Sequence, residues 1–453
     1  MPGDPDRRQG FARCGRLVTR LASVILTAGC AAVRADLPRQ GSSVSFDRAE
    51  RAAHLIQRAD SGYRAGAYDL GARLYVAAAA DWTDPADLHF KAARSHARAG
   101  RTEAALAALQ AAIRAGHREP EQLVRDSALT VVRGARGWSD IVKASETNRR
   151  RYWEAHRDPE AAQLVTSDIG RFWLAYDEAS KQPTSRGRVA VYRKMYFNRG
   201  SDGLLDYYLI KIRSIESFVA TIDSYPRYYR SLREGSQQVL ARVDAIRGGL
   251  RKMKAIYADA VFPNVYFVIG RLTSAGTLSH RGLLLGIEKL TATKGKTPLD
   301  EFSEARRPWG RGVESIPPVV AHELVHFQQK NGPYTLLRNV LTEGGADFIG
   351  ELIAGGNTNP VAQAFGNAHE AEVWHRFEKD MHGTDARDWL ANSSSDRVGP
   401  TWVPDLGYFV GYQISKAYYE RATDKRQALR DLLDLEDPDA ILRASGYPER
   451  FTR

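Results

Sequence analysis

The distribution of apolar and polar residues predicts a mostly helical chain. Residues 45–145 are rich in Ala, Leu and Arg and contain few runs of β-branched residues, a composition that favours helices. Longer amphipathic patterns follow over residues 202–232 and 237–257, and these also predict helices.

The pattern changes to that of β-strands near the middle of the chain. In Asn264 to Gly270 the apolar residues Val265, Phe267 and Ile269 alternate along one face, and "GLLLGIE" follows at Gly282 to Glu288. The stretch between them is rich in Gly, Ser and Thr, so we predict two strands joined by a loop. The expected fold class is therefore mainly α with a small β-sheet (α+β).

The N-terminal helical region contains an internal repeat. The triplet Arg-Ala-Gly occurs at Arg64–Gly66 and again, 34 residues later, at Arg98–Gly100, and Pro85 and Pro120 end the two units. The period and the small residues at the turns resemble tetratricopeptide repeats, which are helical hairpins. The resemblance implies a tetratricopeptide-like region over residues 45–150. Two units leave open whether this region docks a protein partner or caps the next domain.

The first 35 residues have the layout of a secretory signal. Arginines precede an apolar run at Leu21 to Val33, which is too short to remain as a membrane-spanning helix. We expect a signal peptide over residues 1–35, cleavage after Ala35, and export to the bacterial periplasm or cell envelope. The alternative is acylation of Cys30 in the lipoprotein-like sequence "LTAGC", and only in that case would the chain be anchored to a membrane.

Removal of this segment changes both the cysteine content and the charge. The chain has two cysteines, Cys14 and Cys30, so after cleavage a metal must be held by His, Asp or Glu. The segment contains six arginines and two aspartates, and its loss lowers the formal charge from +11 to +7. The remaining basic residues are scattered, which indicates a solvated basic surface and no nucleic-acid partner.

The candidate for chemistry lies in "PPVVAHELVHFQQK", Pro317 to Lys330. Residues four apart share one face of a helix, so His322 and His326 can direct ring nitrogens at one metal ion. Glu323 lies about a hundred degrees round the helix, where its carboxylate reaches a water near the metal without binding the metal itself. The prolines indicate the start of this helix.

A third ligand is needed, and Glu343 is the natural one. Gln329 and Gly332 occupy the positions of the further Gly and His of metzincins, so that pattern is absent. Instead the stretch "LTEGGADFIGELIAGG" begins at Leu341, on a second helix predicted to start near Thr335. It contains Glu343, with Glu351 as an alternative ligand two turns later.

The residues that follow Glu343 indicate how the site is supported. Gly344 and Gly345 would allow a close approach to the first helix. Asp347, one turn beyond Glu343, could accept a hydrogen bond from a ligating histidine and fix its tautomer.

HELVH followed by EGGAD resembles the gluzincin metallopeptidases, which carry HExxH on one helix and ExxxD on the next. It is most similar to bacterial families of predicted zinc-dependent proteases that carry EGxAD. The resemblance covers about Val265 to Gly356 and implies a zincin-like metallopeptidase domain over residues 160–453. Sixteen residues separate His326 from Glu343, slightly fewer than in thermolysin, so the connection is expected to be tighter.

The resemblance also implies roles for individual residues. His322, His326 and Glu343 would bind Zn²⁺ and leave one position for water, and Glu323 would act as general base in hydrolysis of a peptide or protein substrate. The substrate would lie extended along an edge strand, for which "VYFVIG" and "GLLLGIE" are the candidates.

The group that would stabilise the oxyanion is less defined. Tyr408 and Tyr412 lie four apart on a predicted helix, and Tyr408 is our candidate donor, although core packing is the alternative for either. His369, His375 and His382 are irregularly spaced and form no second ligand cluster in the sequence, so we expect surface or packing roles.

The leading hypothesis is an exported zinc metallopeptidase of gluzincin type. A second hypothesis is a non-catalytic envelope scaffold that binds a protein partner through the helical repeats and has a vestigial or structural zinc site. A structural zinc needs a fourth protein ligand, which the sequence does not supply. Hydrolysis of a non-peptide amide would use the same residues as peptide hydrolysis.

Overall fold

The computed structural model describes residues 45–82, 84–293, 295–303, 311–392 and 402–452. Within these ranges the chain is mainly helical with one small mixed β-sheet, which confirms the α+β class. The signal peptide predicted over residues 1–35, including Cys30, lies outside the described residues. None of the helices in these ranges combines the length and apolar character needed to cross a membrane.

The N-terminal part of this structure is helical throughout. Its helices are α1 (Phe46–Arg64), α2 (Tyr68–Ala80), α3 (Ala86–Arg98), α4 (Thr102–Arg114), α5 (Pro120–Arg125) and α6 (Trp138–Ala155). The first four pack each against the next. The turns after α1 and α3 contain Gly66 and Gly100 with φ of 77° and 71°, a conformation that suits glycine. The two Arg-Ala-Gly triplets thus lie at equivalent turns of two helical hairpins.

The segment between the two predicted regions, residues 45–150 and 160–453, does not begin as a linker, because its first residues belong to α6. Described residues on both sides of it share one hydrophobic core. Phe46 of α1 packs on Phe197 and Tyr208, with ring centroids 5.0 and 4.8 Å apart. The division into two domains stays a prediction.

Six helices form the middle of the protein: α7 (Ser167–Ala179), α8 (Ser185–Met195), α9 (Asp202–Tyr207), α10 (Ile215–Ser224), α11 (Pro226–Gln237) and α12 (Val243–Ile256). The amphipathic segment over residues 202–232 is therefore divided among three helices and a π-helical turn, Tyr208–Ile212. Ser214 caps the start of α10 by accepting a hydrogen bond from the Ser217 amide at 3.1 Å. Pro226 begins α11, a position at which its missing N–H removes no helical hydrogen bond.

The sheet has four strands, β1 (Leu164–Val165), β2 (Asn264–Val268), β3 (Gly276–Ser279) and β4 (Gly282–Gly286), in the order β1-β2-β4-β3. β2 pairs in parallel with β1 and β4, and β3 pairs antiparallel with β4. Both predicted strands are present. The prediction that a loop connects them is wrong in part, because some of the connecting residues form β3. Pairing with β4 outweighs the low strand preference of the Gly and Ser residues in β3.

Seven helices complete the described chain: α13 (Ile316–Gln328), α14 (Leu336–Ala354), α15 (Pro360–Ala368), α16 (Glu370–Asp380), α17 (Leu406–Arg421), α18 (Lys425–Asp434) and α19 (Pro438–Ser445). α14 packs between α13 and α17. A Cβ on Gly344 would overlap the backbone of Gly411, so Gly344 permits close contact with α17 and not, as predicted, with α13. Gly350 instead approaches α13, where a Cβ would lie 3.3 Å from the His322 amide.

Candidate metal centre

Helix α13 carries both predicted histidine ligands on one face. Pro317 and Pro318 lie in its first turn, where prolines are tolerated. The rings of His322 and His326 are nearly perpendicular, with centroids 4.5 Å apart. Their Nε2 atoms are only 2.9 Å apart, so both rings direct Nε2 at one position.

Glu343 of α14 joins the two histidines. Its Oε2 lies 3.2 Å from His326 Nε2 and 3.5 Å from His322 Nε2. These three residues are the metal-binding group found among the described residues. The alternative ligand Glu351 is not part of this group, and its Oε2 lies 3.5 Å from the side-chain amide of Asn357.

Asp347 lies behind His322, one turn after Glu343, as the sequence predicts. Its Oδ1 is 2.8 Å from His322 Nδ1, and it also accepts a hydrogen bond from the Thr358 hydroxyl. Asn359 Nδ2 donates to the other oxygen at 2.9 Å. Because the Asp347 carboxylate accepts all these bonds, His322 carries a hydrogen on Nδ1, and when the ring is neutral its Nε2 is a lone pair.

Gln329 orients His326 through a hydrogen bond, as Asp347 orients His322. Its Oε1 lies 2.7 Å from His326 Nδ1, while its Nε2 donates to the Thr342 carbonyl at 2.9 Å. The second bond fixes which end of the amide faces the histidine, so the Nε2 of His326 is also a lone pair when that ring is neutral. No role for Gln329, Thr358 or Asn359 follows from the sequence, because these contacts depend on the tertiary structure.

When both histidines are neutral, three acceptor atoms converge without a donor among them, an arrangement that favours a proton or a metal ion at their centre. A tetrahedral Zn²⁺ with bonds of about 2.0–2.1 Å separates its ligand atoms by about 3.3 Å. The observed separations of 2.9, 3.2 and 3.5 Å fit this requirement. The group can thus hold one metal ion, and its N and O donors suit zinc among other divalent ions.

The pKa values of His322 and Glu343 also indicate that a positive charge is favoured between them. Burial disfavours the protonated form of His322, but its hydrogen bonds to Asp347 and Glu343 outweigh burial and raise its pKa to about 10. Burial would raise the pKa of Glu343, yet His326 and His322 lower it well below its usual range. A positive charge, supplied by a proton or by a metal, is strongly favoured between these side chains.

Glu323 lies beside the group and is not part of it. Its carboxylate contacts the backbone of Gly276 at the start of β3, where a Cβ would overlap the carboxylate oxygen. Burial raises the pKa of Glu323, and His326 and His322 lower it in part. A carboxylate with a raised pKa next to a candidate metal position can accept a proton at neutral pH.

Tyr408 of α17 lines the same cavity as His322 and Glu323. Its ring stacks on that of His322 with centroids 6.1 Å apart. Burial raises its pKa well above the usual range, so the hydroxyl remains a donor at neutral pH. Burial and the nearby Glu351 raise the pKa of Tyr412, one turn later, to about 12.

Three cavities in the described part of the chain border the metal-binding group. Glu343 lines one of about 840 Å³, and β3 borders the remaining two. One of these two, of about 240 Å³, is lined by His322, Glu323 and Tyr408. The other is a cleft of about 530 Å³ that reaches His326 and is lined on its far side by residues of the N-terminal helical region, including Arg118. The side chains of His322, His326 and Glu343 are 9%, 16% and 28% exposed, so the group is accessible from these cavities.

The edge strand beside the site differs from the prediction. "VYFVIG" and "GLLLGIE" form β2 and β4, which are both interior strands, so neither has a free edge. In the described sheet the strand at the edge next to α13 is β3. Gly276 at its start borders the smaller cavity, and Ser279 at its end borders the cleft.

His369, His375 and His382 lie away from the metal-binding group. Their side chains are 46%, 53% and 66% exposed, and each lies near a carboxylate. They are surface residues, as the sequence analysis expects.

No protein-family model, curated protein or solved structure matches this chain. The resemblance to gluzincins therefore rests on the motif residues and their arrangement.

Proposed function

We propose that this protein is a zinc-dependent hydrolase of gluzincin type that cleaves peptide bonds. The observation that carries the proposal is the convergence of His322, His326 and Glu343 with Glu323 beside them. Three protein ligands, partly exposed to a cavity, are typical of catalytic zinc, whereas structural zinc is enclosed by four. This feature favours catalysis over the scaffold hypothesis.

When bound, zinc would polarise the scissile carbonyl and lower the pKa of water at the open coordination position. Glu323 would accept the proton of the attacking water and pass it to the leaving amine, a role that its raised pKa supports. Tyr408 would donate a hydrogen bond to the developing oxyanion, because its raised pKa keeps the hydroxyl protonated at neutral pH.

The substrate is proposed to be an extended peptide that pairs with the free edge of β3. Backbone pairing of this kind gives affinity without demanding a particular sequence. β3 borders two of the cavities, so a peptide along it would pass over Glu323 with one end in each of these two.

The N-terminal helical region is proposed to be a tetratricopeptide-like cap that forms one wall of the substrate cleft. Arg118 supports this assignment, because it bonds to His280 at the end of β3, and His280 Nδ1 lies 2.8 Å from Asp84 Oδ2. These contacts tie the helical region to the proposed substrate strand. The signal-like residues 1–35 support export to the periplasm or cell envelope.

The test is metal content, measured by elemental mass spectrometry, together with activity on a peptide library. We expect about one zinc per chain, lost in His322→Ala and Glu343→Ala, and cleavage that requires zinc. Glu323→Gln should keep the zinc and lose cleavage by a factor of at least about 10². Cleavage that persists in a zinc-loaded Glu323→Gln variant would refute the assigned mechanism, and a chain that binds no metal would refute the proposal.

A further inference from the structure

The cavity beside Glu323 is lined by two positively charged side chains that have no role in the proposed hydrolysis. Lys289 follows β4 in the chain, and Arg311 precedes α13. Both line the cavity of about 240 Å³ together with Glu323 and Tyr408. Two positive side chains thus lie in the space next to the candidate catalytic groups.

Neither cation forms an ion pair with any residue in the described ranges. Arg311 Nη2 donates one hydrogen bond to Asn359 Oδ1 at 3.2 Å, which uses one of its five N–H groups. Lys289 forms no hydrogen bond to a described residue. A partly buried cation with no carboxylate in direct contact is costly, so an anion that entered this cavity would be stabilised by both side chains.

The carboxylates near these cations are engaged elsewhere. Glu288 is fully buried and accepts hydrogen bonds from the Gly270 and Leu272 amides at 2.8 and 2.9 Å. Asp347 is held by His322, as described above. Asp405, at the cavity wall, accepts a hydrogen bond from the Asn392 amide at 3.3 Å.

The pKa values of Lys289 and Arg311 also indicate that their positive charges are only partly compensated. Burial lowers the pKa of Lys289, Glu288 opposes that effect, and Arg311 lowers it further because the two positive charges repel. Burial also lowers the pKa of Arg311. An added negative charge would relieve both effects.

The direction of β3 indicates which part of a peptide would reach the cations. β3 runs from Gly276 at this cavity to Ser279 at the larger cleft. A peptide paired antiparallel to β3 would run the opposite way, so its C-terminal part would enter the cavity that holds Lys289 and Arg311.

We infer that Lys289 and Arg311 form a subsite for a carboxylate on the C-terminal side of the scissile bond. The carboxylate is that of an acidic side chain or of the peptide's own C-terminus. The orientation rests on the proposed peptidase function, whereas binding of the anion depends only on the cations and the cavity.

The experiment measures binding of three peptides to zinc-loaded Glu323→Gln protein, so that none is cleaved. One peptide is neutral and amidated, one is amidated with a glutamate near its C-terminus, and one is neutral with a free C-terminal carboxylate. We expect at least one carboxylate peptide to bind about tenfold or more tighter than the neutral one, as a hydrogen bond to a charged group allows. The two carboxylate peptides distinguish the source of the anion.

Lys289→Gln and Arg311→Gln should each reduce that preference, while Lys252→Gln, an exposed lysine of α12 outside all three cavities, should leave it unchanged. Zinc content verifies the fold of each variant. If the zinc-loaded Glu323→Gln protein, with Lys289 and Arg311 intact, bound all three peptides equally, the inference would be overturned.

The same peptides separate this inference from the proposed function. A protein that cleaves the neutral peptide as well as the others is a peptidase without the carboxylate subsite. A protein that prefers a carboxylate peptide but cleaves none of them, even without the Glu323→Gln change, has the subsite but not the peptidase activity.

Discussion

Gly276 in β3 contacts the carboxylate of Glu323 so closely that a Cβ at position 276 would overlap it. The position of the proposed general base is therefore set by the absence of a side chain on the neighbouring strand. Gly276 also lies in the strand that we propose for substrate pairing, so the base and the substrate would be positioned by the same four residues.

Gly276→Ala should impair catalysis more than stability. The added methyl group displaces the Glu323 side chain, and a shift of about 1 Å at a catalytic group costs about 10²-fold in rate. We expect a loss of this size in kcat/KM with zinc content unchanged, measured on the best library peptide.

The matched control for that change is Gly248→Ala. Gly248 lies in α12, and its Cβ would meet no atom within 4 Å. This variant should retain full activity and be slightly more stable, because alanine favours a helix more than glycine does. Full activity of Gly276→Ala would show that Glu323 does not act from the position seen here.

Asp347 is expected to control metal affinity through His322. Asp347→Asn removes the charge that orients the histidine, and loss of such a partner costs about 10–100-fold in metal affinity. The measurement is zinc affinity by competition with a chelator. Asp168→Asn is the control, because Asp168 is a carboxylate with 0% exposure that bonds to Ser201 and Arg171, away from the metal-binding group. Equal weakening in both variants would mean that general destabilisation explains the effect.

The sequence was a good guide to the site where the chemistry depends on helical spacing. The spacing predicts that His322 and His326 share a face, and likewise Glu343 and Asp347, because residues one turn apart on a helix do so. Gln329 was considered only as the residue that replaces a metzincin glycine. Its contact with His326 depends on where α13 ends, at Gln328, and this cannot be read from spacing alone.

The fold was predictable in class but not in topology. Two apolar strands were recognised from alternation, whereas β3 has the composition of a loop and becomes a strand by pairing with β4. The close contact of Gly344 was assigned to the wrong helix, because glycine indicates that a neighbour is near without indicating which one. Long-range partners of this kind are decided by tertiary packing.

Zinc affinity should rise with pH between about 6.5 and 10. His322 has its pKa raised to about 10 in the metal-free protein, so at neutral pH a proton must leave before zinc binds. Calorimetry in two buffers of different ionisation enthalpy should detect release of about one proton or more per zinc at pH 7. Affinity that does not change over this range would show that the histidine is unprotonated without metal.

The raised pKa of His322 should also make the stability of the metal-free protein depend on pH. Because the folded-state pKa of His322 is raised above its unfolded value of 6.5, its contribution is fully present below about pH 6.5. That contribution is lost as the pH rises towards about 10. We expect the unfolding free energy of the metal-free protein to fall over this window, and His322→Ala to reduce the dependence. A metal-free protein that becomes more stable across this window would contradict the assigned shift.

The crossing of α14 and α17 should be among the positions least tolerant of added volume. A Cβ on Gly411 would overlap the Val340 carbonyl and approach the Gly344 Cα at 3.1 Å, and backbone atoms cannot move aside as a side chain can. We expect Gly411→Ala to lower the unfolding free energy by about 1–3 kcal/mol or more, as overpacking does. Because α17 carries Tyr408 and α14 carries Glu343, the separation of these helices should also weaken zinc binding. Gly248→Ala again serves as the control, and a Gly411→Ala protein with unchanged denaturant midpoint and zinc affinity would show that the two helices do not pack this closely.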